Sequence, residues 1–113
     1  MKIKPILIIC GEPNSIFSEI FFKSLNYKKF KSPIILIASQ KLIKLQMKKF
    51  KVKKKIRLIE YSYFEKYKLD NKKINLIDIS FNQKKAFDVI SNKSNKYIAK
   101  SFDVALKILN KKI

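Results

Sequence analysis

The chain has no histidine and no tryptophan, and only one cysteine, one glycine and one arginine. Without histidine, the usual imidazole base, metal ligand and triad partner are missing, which removes most hydrolase chemistries. The single cysteine, Cys10, excludes an internal disulfide and any cysteine-based zinc site, a usage that fits a reducing cytoplasm. Acidic residues number eight against 27 basic ones, and Glu12, Glu19, Glu60, Glu65, Asp70, Asp78, Asp88 and Asp103 are too dispersed to suggest a carboxylate cluster for Mg²⁺ or acid–base work. One glycine leaves a dinucleotide fingerprint without its second and third glycines. Long apolar runs are absent as well. Lys2 to Cys10 joins a basic start to a short apolar stretch with no small-residue cleavage site after it, so neither export nor a membrane span is expected.

What is abundant is lysine. The net charge is +19, and all but one of the 27 basic residues are lysine, Arg57 being the exception. Such a balance can mark a nucleic-acid or other polyanion partner. Phosphate and base recognition, however, leans on the guanidinium fork, and these lysines run the whole length of the chain. Lysine, isoleucine and asparagine dominate while glycine and alanine are scarce, the pattern of A+T-rich codons. Weak, salt-sensitive attraction to polyanions is expected from charge alone.

A length of 113 residues with 47% apolar content suits a single α/β domain with one core. Pro5 to Cys10 and Pro33 to Ala38 are continuous apolar runs without alternation, as expected of parallel strands buried on both faces, and each opens with proline. After the first run, Ser15 or Asn14 can cap a helix to about Leu25, with Ile16, Ile20, Phe21 and Phe22 as its apolar stripe. Ser39 can cap a second helix to about Phe50, its apolar side formed by Ile43, Met47 and Phe50. Ile56 to Glu60 reads as a third strand, Ser62 to Tyr67 as a short helical turn, and Ile74 to Ile79 as a fourth strand. Ser80 to Ser91 reads as a loop with one helical turn near Ala86 to Ile90. Ser94 to Asn110 reads as a long amphipathic helix with Ile98, Phe102, Ala105, Leu106 and Leu109 on its buried face. Alternating strands and helices predict a parallel, doubly wound sheet of about four strands with helices on both faces.

In open α/β sheets ligands bind beyond the carboxyl ends of the strands. Gly11, the only glycine, falls there, in the turn Gly11-Glu12-Pro13-Asn14-Ser15, where a positive φ and close backbone approach are both available. Glu12 is expected to project into the crevice, Pro13 to stiffen the turn, and the helix starting near Ser15 to aim free N–H groups at any anion. The bland alternative is an ordinary capped turn. Asp78 is the other acid expected at that edge, as a ligand contact or as a strand-end cap. Cys10 reads as a core side chain rather than a nucleophile. Phe21, Phe22, Tyr61, Tyr63, Phe64 and Tyr67 read as packing residues more than as base-stacking ones. Lys48 to Lys55 is the densest basic patch, either a solvated helix end or a polyanion contact.

The apolar strand followed by Gly11, Glu12, Pro13, Ile16 and Glu19 resembles the opening of the 4-hydroxythreonine-4-phosphate dehydrogenases of pyridoxine biosynthesis, with their Gly-Asp/Glu-Pro-x-Gly-Ile-Gly-Pro-Glu/Asp motif. Ser15, Phe17 and Ser18 stand where that motif has its later glycines and proline. Ile90 to Leu109 is similar to the helix that precedes the next core strand. The resemblance implies part of an isocitrate/isopropylmalate-dehydrogenase-like domain, and an NAD(P)-dependent, divalent-metal-assisted oxidation of a small phosphorylated hydroxy amino acid followed by decarboxylation, in a homodimer. The family's metal-binding histidines and main substrate-binding segments lie beyond the matched region. The 113 residues are therefore expected to be the N-terminal part of a longer dehydrogenase, inactive alone until a C-terminal portion is supplied. The competing expectations are a non-enzymatic lysine-rich module for nucleic acid or another polyanion, and a free-standing nucleotide-binding domain using the helix start at Ser15.

Overall fold

The computed structural model describes residues 4–27, 29–60 and 69–112. The elements are β1 (Ile6–Ile9), α1 (Phe17–Tyr27), β2 (Ile34–Ala38), α2 (Gln40–Lys49), β3 (Ile56–Leu58), β4 (Ile74–Asp78), a 3₁₀ turn (Asn92–Ser94) and α3 (Asn95–Lys112). All four strands are parallel, in the order β1-β2-β4-β3. Residues 5–10 and 33–38 are therefore adjacent, co-directional segments; every residue of β2 is buried as expected, whereas β1, expected to be buried on both faces, lies at the edge of the sheet with Ile6 exposed and Leu7, Ile8 and Ile9 partly buried.

Alternate residues of the strands serve two cores. Cys10, Ile34, Leu36, Ala38, Ile74 and Leu76 face α1 and α2, meeting Phe21, Phe22, Ile43 and Met47. Ile35, Ile37 and Ile77 face the other way, meeting Tyr97, Val104, Ala105 and Ile108 of α3. This division follows from chain direction. From β1 through β2 to β3 the chain steps one way across the sheet, so right-handed crossovers put α1 and α2 on the same face. The step from β3 back to β4 reverses, and Ile59 and Leu69, which flank the reversing segment, pack in the second core.

Several sequence expectations shift in detail. Helix α1 begins at Phe17, and its buried side is Ser18, Phe21 and Phe22, whereas Ile16 and Ile20 are exposed. Both stripes have helical spacing, and the sheet takes the one that carries the aromatic rings. In α3 the buried side is Tyr97, Ser101, Val104, Ala105 and Ile108, and Phe102, Leu106 and Leu109 stand half exposed. Small residues at 101 and 105 let the helix lie close to the sheet, and the Ser101 hydroxyl donates back to the Tyr97 carbonyl oxygen at 2.8 Å. The third strand has three residues rather than five. Ala86 to Ile90 forms no helical turn; the turn comes later, at Asn92–Ser94. The expected turn at Ser62 to Tyr67, with Tyr61, Tyr63, Phe64 and Tyr67, lies outside the described residues.

Helix α2 is capped as its sequence predicts, the Ser39 hydroxyl accepting from the Leu42 N–H at 3.2 Å. It ends when Lys51 takes a left-handed φ of 56° and the Val52 N–H reaches back to the Met47 carbonyl oxygen at 2.9 Å. At the amino end of the sheet, Asn71 accepts from the Ile34 N–H and donates to the Phe30 and Ser32 carbonyl oxygens, fixing the entry into β2.

Candidate functional site at the carboxyl edge of the sheet

Strand β1 delivers the chain to Gly11, whose φ is +72°. A Cβ placed there would meet nothing within 4 Å, so glycine is required by backbone conformation and not by close packing. The turn then closes on itself. The Ser15 hydroxyl donates to the Glu12 carbonyl oxygen at 2.9 Å and accepts from the Phe17 N–H at 3.2 Å, which makes Ser15 the residue that starts α1. Pro13 is fully buried.

Glu12 does not project freely into the crevice, contrary to the sequence expectation. One carboxylate oxygen accepts from the Asn14 N–H at 3.2 Å, and the other accepts from the Ser94 hydroxyl at 3.0 Å. The side chain is thus a tie between the turn and the start of α3. Asn14 makes a second tie. Its Nδ2 donates to Gln83 Oε1 at 3.1 Å, and its Oδ1 accepts from Gln83 Nε2 at 2.8 Å and from the Asp88 N–H at 2.9 Å. A third comes from below: Gln46 of α2, fully buried, donates from Nε2 to the Pro13 and Ala86 carbonyl oxygens at 2.9 and 3.0 Å. Three side chains therefore pin the Gly11–Ser15 turn to the segment from Phe81 to Ser94.

Beneath the turn, Cys10 is buried, and burial pushes its thiol up to about 11 from an ordinary 9.0. A hydrogen bond with Tyr97 opposes that shift and the nearby Glu12 charge adds to it. The thiol is neutral near pH 7, in line with a core side chain and not a nucleophile. The Tyr97 hydroxyl accepts from the Ser39 N–H at 2.9 Å, and burial raises its ionisation above the ordinary phenol range. Asp78 acts as a strand-end cap, its Oδ1 accepting from the Gln40 N–H at 2.8 Å at the start of α2.

The pinned segments enclose a cavity of about 450 Å³, bordered by Asn14, Lys84, Lys85, Asp88, Ser91 and Lys93. Three lysines against one aspartate make it an electropositive recess. A second recess of about 600 Å³ adjoins it through Phe81 and Asn82 and runs to Ser39 and Lys41 at the start of α2. Together they lie where open α/β sheets bind ligands. Lys84, Lys85, Lys93, Gln46 and Gln83 are not evident as site residues in the sequence. The lysines are hidden by the many others, and the Asn14–Gln83 pair joins positions 69 residues apart.

No three His, Cys, Asp or Glu side chains group as a metal site among the described residues. The two acids nearest the turn are engaged with backbone N–H groups, so the residues present do not suit a divalent metal. The described residues also contain no helix long and apolar enough to cross a membrane.

The architecture is a four-stranded parallel α/β sheet with a crevice at its carboxyl edge. A solved structure of a 4-hydroxythreonine-4-phosphate dehydrogenase from Burkholderia phymatum is similar over 98% of this chain, with a TM-score of 0.81 and 17% sequence identity. The chain spans only 34% of that protein's length. At this identity the likeness establishes the fold. No family profile and no curated protein matches the sequence.

Proposed function

We propose that the chain is one part of a dehydrogenase of the 4-hydroxythreonine-4-phosphate type, and that it supplies the wall of the active-site crevice that receives a small phosphorylated hydroxy amino acid. The observation that carries this reading is the electropositive recess beside the Gly11–Ser15 turn, to whose lining the turn contributes Asn14. Within it Lys84, Lys85 and Lys93 attract the anionic group, and the Asn14–Gln83 pair fixes the position of the segment that carries Lys84 and Lys85. Glu12 is a positioning residue that keeps the wall in place. NAD(P) and a divalent metal are held by polypeptide other than these residues.

Thermal melting tests the reading. A phosphorylated hydroxy amino acid should raise the melting temperature through preferential binding to the folded state, and its dephosphorylated form should not. Lys84→Ala and Lys93→Ala should each reduce the shift. Equal responses to the two ligands, or none to either, would remove the proposal.

The second reading, a polyanion-binding module, is favoured by one observation. A recess of about 490 Å³ beside the C-terminal end of α2 is bordered by Lys44, Lys48, Lys54 and Lys55 and, among the described residues, by no acid. Binding of a mixed-sequence oligonucleotide there should fall steeply between low and physiological salt.

A further inference from the structure

Acids are unevenly placed among the helices. Helices α1 and α3 each set an acid four residues before a lysine, and the pairs close at 2.9 Å for Glu19–Lys23 and 3.3 Å for Asp103–Lys107. Helix α2 carries four lysines and no acid, and the sequence has no aspartate or glutamate between Glu19 and Glu60. A+T-rich codons account for the number of lysines and not for this division.

Lys41, Lys44 and Lys48 recur at spacings of three and four, so they form one exposed stripe along α2 with successive Cβ atoms about 5–6 Å apart. Like charges at these spacings repel and weaken the helix, and among the described residues no acid forms an ion pair with them. The stripe borders two recesses that meet at Gln40 and Lys44, one of about 600 Å³ at the start of α2 and one of about 490 Å³ at its end. The second is rimmed by Lys44, Lys48, Lys54 and Lys55, and Met47, Val52 and Ile56, which pack into the core below, give it an apolar floor. Lys54 is held in place, its ammonium donating to the Asn71 carbonyl oxygen at 2.7 Å. The first recess has the half-buried Phe81 on its border.

We propose that this track along α2 binds single-stranded nucleic acid, its phosphates following Lys41, Lys44, Lys48 and Lys55 and its bases lying on the apolar floor. The assignment rests on the polyanion reading given above and names its partner. A single strand suits the track because it exposes phosphates and base faces together, whereas a duplex turns its base faces into the stack and a linear polyphosphate has none. Lysine, a point charge without a planar fork, suits contacts that follow the backbone irrespective of base sequence. Lys84, Lys85 and Lys93 take no part, so the substrate reading stands or falls separately.

Fluorescence anisotropy of the full chain with a labelled, mixed-sequence single strand of about 12 nucleotides tests it. Four phosphate contacts predict a slope of log affinity against log salt of about −2.8, a loss of about fifty-fold between about 50 mM and about 200 mM NaCl. Lys44→Gln and Lys48→Gln should each flatten that slope by about 0.7. Lys96→Gln and Lys100→Gln remove the same charge from α3, across the sheet, and should leave the slope unchanged. All four side chains are exposed, so circular dichroism should show unchanged folding. A duplex of the same length and a linear polyphosphate should both bind more weakly than the single strand. Equal or tighter binding of either, or equal effects of the α2 and α3 substitutions, would overturn the proposal and leave the polyanion reading standing. No binding of any of the three at the lower salt would remove both.

Discussion

The fold contains two parallel strand-to-helix turns that differ in what they join. After β2 the chain passes directly into α2, and the backbone N–H groups at the helix start are given acceptors one by one: Ser39 caps Leu42, Asp78 holds the Gln40 N–H, and Tyr97 accepts from the Ser39 N–H. After β1 the chain spends several residues on a turn with a left-handed glycine, then ties that turn to distant residues through Glu12, Asn14 and Gln46. The first arrangement closes an edge. The second holds the segment from Phe81 to Ser94 beside a recess, and the difference lies in what the side-chain hydrogen bonds hold: a helix start after β2, a separate segment after β1.

Removing those long-range ties should break the contrast most severely. Gln46→Ala strips two carbonyl oxygens of their donor and leaves a void in a fully buried position. Chemical denaturation should show a loss of about 3 kcal/mol, and the amide signals of Ala86 and Asp88 should move with those of Asn14. Tyr97→Phe acts on the closed turn instead. It leaves the Ser39 N–H without its acceptor and should cost about 2 kcal/mol, with little change at Asn14.

Alkaline titration sharpens the comparison, because Cys10 lies under the open turn. Its ordinary value is 9.0 and its folded value about 11, so between those values the unfolded chain has lost a thiol proton that the folded chain retains. Stability is then complete below about pH 9 and falls as pH rises through about 11, by on the order of 2 kcal/mol. Cys10→Ala should remove the part of the decline that begins near pH 9 and leave the part that begins near pH 10, where the unfolded chain loses the Tyr97 proton that burial retains in the folded one. Gly11→Ala should have the smallest effect, about 1 kcal/mol, because only the left-handed backbone resists it and no neighbouring atom does.

The sequence exposes those parts of this fold whose signal is local. Ile34 to Ala38 reads as a doubly buried strand because every residue is apolar, and Ser39 reads as a cap because the helix periodicity starts right after it. The sheet-facing sides of α1 and α3 are less legible, since each helix carries two apolar stripes. Choosing Phe21 over Ile20, or Val104 over Phe102, needs the neighbouring surface. Gly11 and its turn stand out as the one glycine in the chain. The state of Glu12 does not, because its partner Ser94 is 82 residues away. Lys84, Lys85 and Lys93 become a group only when Asn14 and Gln83 fold their segment over the turn.

The most direct test is an amide-resolved NMR titration of the 113-residue chain with inorganic phosphate and with a phosphorylated hydroxy amino acid. The account predicts saturable shifts concentrated at Asn14, Lys84, Lys85, Ser91 and Lys93, larger for the amino acid than for phosphate. Shifts spread evenly over the lysines, or centred on Lys48 to Lys55 with Asn14 unmoved, would contradict it.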